Sequence, residues 1–314
     1  MVIGLMSTSN TQFTAPAVRH LTWCLLSPPL AELNIADSLH MIEDTELISW
    51  LQKLDLNPAQ LNTYIQQRNH KLLGSYFECL WAFYFEFGPN SELLADHIQV
   101  IEGKQTLGEL DALVKIKDQF MHVELAVKFY LLLPNKTGLQ QHHWIGPQSH
   151  DRLDLKLDKL NQKQFPFLHH PATIQTLKTQ QLSNDYKQIL ALKGYLFHPF
   201  GKNYQLPEQC SSSVNICSWI HAEFLETQLI NQTQSNIKWS ILPKHQWFGP
   251  LYTNQPQDIL DANMVAELVG QHFQTQAQER TPYALMLVKL DNLENGYYLE
   301  QERFFVVHNQ WPTS

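Results

Sequence analysis

A glutamate and a lysine stand four residues apart in the run from His122 to Leu131, HVELAVKFYL. Side chains on a strand alternate between its two faces. Read as a strand, the run puts Val123, Leu125, Val127 and Phe129 on an apolar face and His122, Glu124, Ala126 and Lys128 on the other. The run before it, Thr106 to Lys117, carries Glu109 and Asp111 on one common face. If these two strands pair as a hairpin, Asp111 approaches Glu124. Two carboxylates about 4 Å apart repel by roughly 4 kcal/mol at an effective dielectric near 20. A divalent cation relieves that repulsion, and oxygen-only ligands suit Mg²⁺ or Mn²⁺. A neighbouring lysine ammonium orients or activates water, or stabilises charge developing on a phosphate. These are the parts needed for metal-assisted phosphodiester hydrolysis. Strand positions disfavour Asp, and Glu78 lies among Phe77, Cys79, Leu80 and Trp81, a costly place for an unpaired charge. Each needs either a functional role or a structural hydrogen bond.

The elements that must position these residues are readable from period and punctuation. Residues 1 to about 14 are polar and are expected to be loose. Apolar spacing predicts a helix from Ala15 to Leu26, closed by Ser27-Pro28-Pro29. A second helix is expected from an Asp44 cap through Leu54, and a third from Asn57-Pro58. Gly74 to Phe87 is apolar almost all round, the mark of a buried helix. Three strands are expected at Leu93–Ile101, Thr106–Lys117 and Phe120–Phe129, joined by short turns. A charged helix follows at Asp151–Gln162, a weaker one at Ala172–Gln180, then a strand at Tyr186–Phe197 interrupted by Gly194. The expected fold is therefore α/β. Residues 1–70 form an N-terminal helical layer, 71–200 a core of helix, three strands, helix and strand, and 201–314 a C-terminal α+β region. In that region a helix is expected near Ile259–Gln276, with strands at Tyr283–Asp291 and Tyr297–His308.

Glu78 on a buried helix, Asp111 on a strand, and Glu124 and Lys128 on the next strand together resemble the PD-(D/E)XK nuclease superfamily. The longer strings GSYFECLW, TLGELDALV, HVELAVKFYL, Gly146-Pro147 followed by DRLDLKL, and KGYLFHP resemble a bacterial domain-of-unknown-function family of about this length. The superfamily resemblance implies a restriction-endonuclease-like core, a nucleic-acid substrate and Mg²⁺ or Mn²⁺ as cofactor. It makes Asp111 the central metal ligand, Glu124 a second and Glu78 a third from the helix. Lys128 becomes the motif lysine, so Lys128, Glu124 and Asp111 form the catalytic set. One position departs from the pattern: the motif acid stands two residues before the lysine, where this chain has Ala126. On a straight strand Glu124 and Lys128 have Cα atoms about 13 Å apart. Either the acid has moved by one pleat, or the site is degenerate and the fold serves as a nucleic-acid- or protein-binding module.

Composition bounds these readings. The 314 residues are 44% hydrophobic and 17% charged, the balance of a globular chain rather than a disordered one. A net charge of -8 argues against avid nonspecific binding to duplex DNA. The four cysteines form no zinc spacing, which suits a reducing compartment, and with neither a signal peptide nor a membrane span in the sequence the expected location is cytoplasmic. His122 reads as a structural histidine, and the pairs His142-His143 and His169-His170 as loop residues. Lys156, Lys159 and Lys163 share roughly one helical face, read as solvated or as a phosphate contact. Trp219, Trp239, Trp247 and Trp311 read as packing.

Overall fold

Caps and prolines cut the first ninety residues into four helices. In the computed structural model, which describes residues 13–41, 43–68, 71–230, 237–276 and 283–312, these are α1 (Pro16–Leu26), α2 (Thr45–Leu56), α3 (Ala59–Gln67) and α4 (Leu73–Phe87). The loose N-terminal segment expected from the sequence falls, up to residue 12, outside the described residues. Asp44 caps α2, its Oδ1 accepting the Leu47 N–H at 2.9 Å. From Tyr76 to Phe85 every residue of α4 except Glu78 is buried.

Eight strands follow: β1 (Ser91–Glu102), β2 (Gln105–Ile116), β3 (Gln119–Leu132), β4 (Lys187–Pro199), β5 (Asn215–His221), β6 (Lys238–Leu242), β7 (Leu285–Asn292) and β8 (Tyr298–Val307). They form one mixed sheet in the order β1-β2-β3-β4-β5-β8-β7-β6, and three two-residue strands pair against it. The β1-β2-β3 meander is antiparallel, whereas β3-β4, β4-β5 and β5-β8 are parallel. Between β3 and β4 the chain crosses over through α5 (Leu153–Lys159), a wide helical turn at Leu160–Gln164 and α6 (Pro171–Thr179). The strands of the C-terminal region thus extend the core sheet instead of building a separate one. Among the described residues no helix is long and apolar enough to cross a membrane.

Alternation along β3 divides the layers as its sequence predicts. Val123, Leu125 and Phe129 join Leu21 and Trp23 of α1 and Phe77 and Leu80 of α4 in the largest apolar cluster. Ala126, Tyr130 and Leu132 pack instead with Leu153 and Leu157 of α5 and with Leu160. A final helix, α7 (Ala262–Thr275), sets Val265 and Val269 against Leu287, Phe304 and Val306.

Gly194 does not interrupt its strand, contrary to the sequence expectation. It pairs with Lys128 in the continuous parallel ladder of β3 and β4. Its φ is +150°, and a Cβ there would sit 1.7 Å from the Lys128 carbonyl oxygen. Only a residue without a side chain allows this approach.

A buried ion pair ties the 247–251 loop to the sheet. Arg303 Nε donates to Glu300 Oε1 at 2.6 Å, with both side chains fully buried. The guanidinium also donates to the carbonyls of Trp247 and Gly249 at 2.7 and 2.6 Å, and lies 4.5 Å over the Tyr195 ring. Glu300 Oε2 accepts the Leu251 N–H at 2.8 Å. Every polar atom of the pair is employed, so removing one partner strands the other. Arg303→Met is expected to destabilise the protein by about 3–5 kcal/mol in urea unfolding, and Arg303→Met with Glu300→Leu to recover part of that loss. Equal losses for the two variants would show that the stranded charge is not the cause.

Candidate functional site

Strands β2 and β3 are paired only from Ile116–Gln119 to Ala112–Val123. Beyond that point they part, and the next residues along each are Asp111 and Glu124. Asp111 Oδ2 accepts the Leu125 N–H at 2.8 Å, so a carboxylate occupies the place where a strand carbonyl would have continued the ladder. Burial pushes the Asp111 carboxyl well above its ordinary value, and the charge of Glu124 adds to the effect; the Leu125 N–H opposes it.

Glu124 is buried, at 1% exposure. Its Oε2 accepts from Gln164 Nε2, and Gln164 Oε1 in turn accepts from Lys156 Nζ at 3.0 Å. Gln164 therefore links the lysine of α5 to the glutamate of β3. His122 Nε2 approaches Glu124 Oε1 at 3.2 Å without hydrogen-bond geometry, and Oε1 has no hydrogen-bond partner. Burial, reinforced by the charge of Lys128, pulls the Lys156 ammonium down to about 8; Glu124 and Asp111 pull the other way.

Glu78 reaches the same gap from the opposite layer. Burial raises its carboxyl, with His97 and Lys156 opposing and Glu109 and Glu124 adding to the shift. Glu109 itself is at the surface, 3.0 Å from His97 Nδ1. The parting of β2 from β3 thus lets α4 on one side and α5 on the other bring side chains to one place. Asp111, Glu124 and Glu78 are close enough there to act on one another electrostatically.

Lys128, which the resemblance makes the motif lysine, is ion-paired with Asp151. Its Nζ lies 2.6 Å from Asp151 Oδ2, and Tyr130 Oη is 3.4 Å from Asp151 Oδ1. The lysine among the carboxylates is Lys156, which the sequence reading placed on a face that is either solvated or a phosphate contact. A signal was present: Lys156 lies three residues after Leu153 and four before Leu160, both buried, so it belongs to the inward stripe. Leu155 is 53% exposed, showing that the stripe and not the count of apolar residues sets the inner face. Gln164 also escaped the sequence reading, because the wide turn at Leu160–Gln164 has no helical period to betray it.

Beside the gap, along the edge of β3 that β2 has left, opens a cleft of about 670 Å³. Val127, Lys128 and Phe129 line it on the strand side, with Leu73 and Tyr76 of α4, Asp151 and Trp247 around them.

A family model described as a domain of unknown function, DUF1853, matches residues 19–307, and the chain belongs to that family. Neither curated proteins nor solved structures include a match to this chain.

Among the described residues no three His, Cys, Asp or Glu side chains stand as a ready-made metal cage. The donor set nevertheless fits a hard cation. Glu124 Oε1 is a buried oxygen without a hydrogen bond, and Asp111 is driven toward protonation by burial and, after it, by the charge of Glu124. Magnesium keeps several waters and asks the protein for only one or two carboxylates.

Because the folded-state value of Asp111 is raised above the ordinary 3.8, the folded chain retains a proton that the unfolded chain has lost. Its contribution is therefore favourable at low pH and is lost as pH rises through the folded value. Asp111→Asn keeps an acceptor for Leu125 and is expected to melt above wild type in EDTA at pH 7, with the gap closing toward pH 4. A loss at pH 7 of more than about 2 kcal/mol would instead make Asp111 one half of a structural ion pair.

Proposed function

We propose that the protein hydrolyses phosphodiester bonds of nucleic acid with Mg²⁺ or Mn²⁺, on a PD-(D/E)XK-like core formed by α4, β1–β3, α5 and β4. The observation that carries this reading is the meeting of Asp111 and Glu124 where β2 and β3 part, with Glu124 Oε1 buried and without a hydrogen bond. The order of helix, three-strand meander, crossover helix and parallel strand supports it. Asp111 and Glu124 would hold the cation, with Glu78 completing its outer ligands from α4. Once bound, the cation would supply a Lewis acid for the phosphate and lower the pKa of a coordinated water. Leu125 fixes Asp111 through its N–H, and Gln164 fixes Glu124, so neither carboxylate has to be ordered at the moment of binding.

Two lysines divide the motif lysine's work in this reading. Lys156 stands among the carboxylates and is placed to stabilise charge developing on the phosphate. Lys128, tied to Asp151, borders the cleft and is placed to hold the substrate beside them.

Two features favour the second reading, a degenerate nuclease fold that binds nucleic acid or protein without cleaving it. The Lys156 ammonium already brings positive charge to the carboxylates, and Ala126 stands where the motif acid is expected. Cleavage assays separate the two. Wild type is expected to cut DNA or RNA in Mg²⁺ or Mn²⁺, and Asp111→Asn and Glu124→Gln to lose activity at least about 100-fold. Lys156→Met is expected to reduce kcat while sparing Mn²⁺ affinity measured by calorimetry. No cleavage of any single- or double-stranded substrate, together with no Mn²⁺ binding, would defeat the nuclease reading.

A further inference from the structure

The cleft along the abandoned edge of β3 has a composition that the carboxylate site does not require. Its floor is apolar, built from Val127, Phe129, Leu73, Trp247 and Ala284. Its rim is basic: Lys71, Lys128 and Lys244 line it together with His150 and His245. The one carboxylate in the lining, Asp151, is already matched by Lys128 at 2.6 Å. Among the described residues, neither Lys71 nor Lys244 takes part in an ion pair. Lys244 Nζ lies 4.5 Å over the ring of Tyr283, which is 48% exposed at the mouth. The cleft therefore offers cations with no anionic partner around a surface that repels water.

These properties select among ligands. A duplex shows its partner phosphates, sugars and groove edges, and its base faces are hidden in the stack. It would use the lysines and leave the apolar floor uncovered. An unpaired nucleotide carries both halves of the complement, a phosphate for the basic rim and an aromatic base for the floor and Tyr283. The volume of about 670 Å³ falls in the range of pockets that take small organic ligands, far short of a groove for a double helix. The overall charge of -8 also disfavours a long electrostatic track along a duplex.

We propose that this cleft binds unpaired nucleotides of single-stranded nucleic acid, with Lys71 and Lys244 on phosphate and Tyr283 against a base. The proposal rests on the nucleic-acid part of the function proposed above, and names its substrate as single-stranded. It does not depend on the carboxylates, since none of Glu78, Asp111 or Glu124 lines the cleft.

The test is fluorescence anisotropy with labelled ten-nucleotide single strands of DNA and RNA, a ten-base-pair duplex, and a mononucleotide as competitor. All are measured in EDTA, so that binding is read without cleavage. Single strands are expected to bind at least tenfold more tightly than the duplex or the mononucleotide. Lys71→Ala with Lys244→Ala should lower the slope of log K against log salt by about 1.4, the value for two phosphate contacts on a single strand. Tyr283→Ala should weaken binding about tenfold or more. All three side chains are at the surface of the cleft, and unchanged thermal melts would show that each variant is folded. Equal or tighter duplex binding, equal mononucleotide binding, or single-strand affinity unchanged by the substitutions would each overturn the proposal. Its failure is distinct from failure of the nuclease reading. Binding without metal-dependent cleavage removes the nuclease and leaves the cleft, whereas cleavage without single-strand preference removes the cleft and leaves the nuclease.

Discussion

The hydrogen bond from the Leu125 N–H to Asp111 Oδ2 is the contact on which the site's geometry depends. An antiparallel pair of strands gains one ladder bond after another until something ends it. Here a side chain takes the donor that a main-chain carbonyl would have used, and the ladder stops at Ala112–Val123. An acid at this position both holds one strand and refuses the other, leaving a gap that two helical layers can reach. Glu78 enters from α4, and Lys156 and Gln164 from α5 and its wide turn. Leu125 holds Asp111 and Gln164 holds Glu124, while burial and the charge of Glu124 both raise the Asp111 carboxyl above its ordinary value.

The other half of the chain contributes the setting. β5 pairs in parallel with β4, and β8 with β5, so a single sheet runs from the meander to the C-terminal strands. Arg303 and Glu300 within β8 hold the carbonyls of Trp247 and Gly249 and the N–H of Leu251. Trp247, which forms part of the cleft floor, thus owes its position to an ion pair on a strand four places from β2 in the sheet order. Buried pairs of this kind add little net stability compared with apolar packing, and this one directs its remaining hydrogen bonds to the main chain of residues 247, 249 and 251.

Much of this was legible in the sequence, for local reasons. Strand alternation in HVELAVKFYL separated Val123, Leu125 and Phe129 from Glu124 and Ala126, and the cores divide along that line. The aromatic density of α4 marked it as central, and its one charged interior residue, Glu78, as one that needed partners. What was not legible depended on contacts between distant segments. Gly194 reads as a strand breaker until Lys128 is seen pressed against it. Lys128 shares a strand face with Glu124 in the sequence, yet Asp151 comes from a loop more than twenty residues on and takes the ammonium. Lys156 was obscured by its fellow lysines, since three like charges at helical spacing suggest a solvated face and only two of them, Lys159 and Lys163, are exposed. The continuity of the sheet across residue 200 has no local signature at all, because parallel pairing joins segments that the sequence separates.

The parallel pairing of β4 with β5 also governs what can be separated from this chain. A fragment ending near residue 200 would leave Tyr195 to Pro199 with the row of N–H and C=O groups now used by Asn215 to Trp219. That row would sit on a strand whose side chains at Tyr195, Leu196 and Phe197 are wholly buried in the intact protein. An apolar edge with unsatisfied main-chain groups recruits other strands, and aggregation is its usual outcome. The segment that carries the carboxylates is therefore not separable by itself: a gene fusion or truncation that kept it would have to keep the C-terminal strands as well.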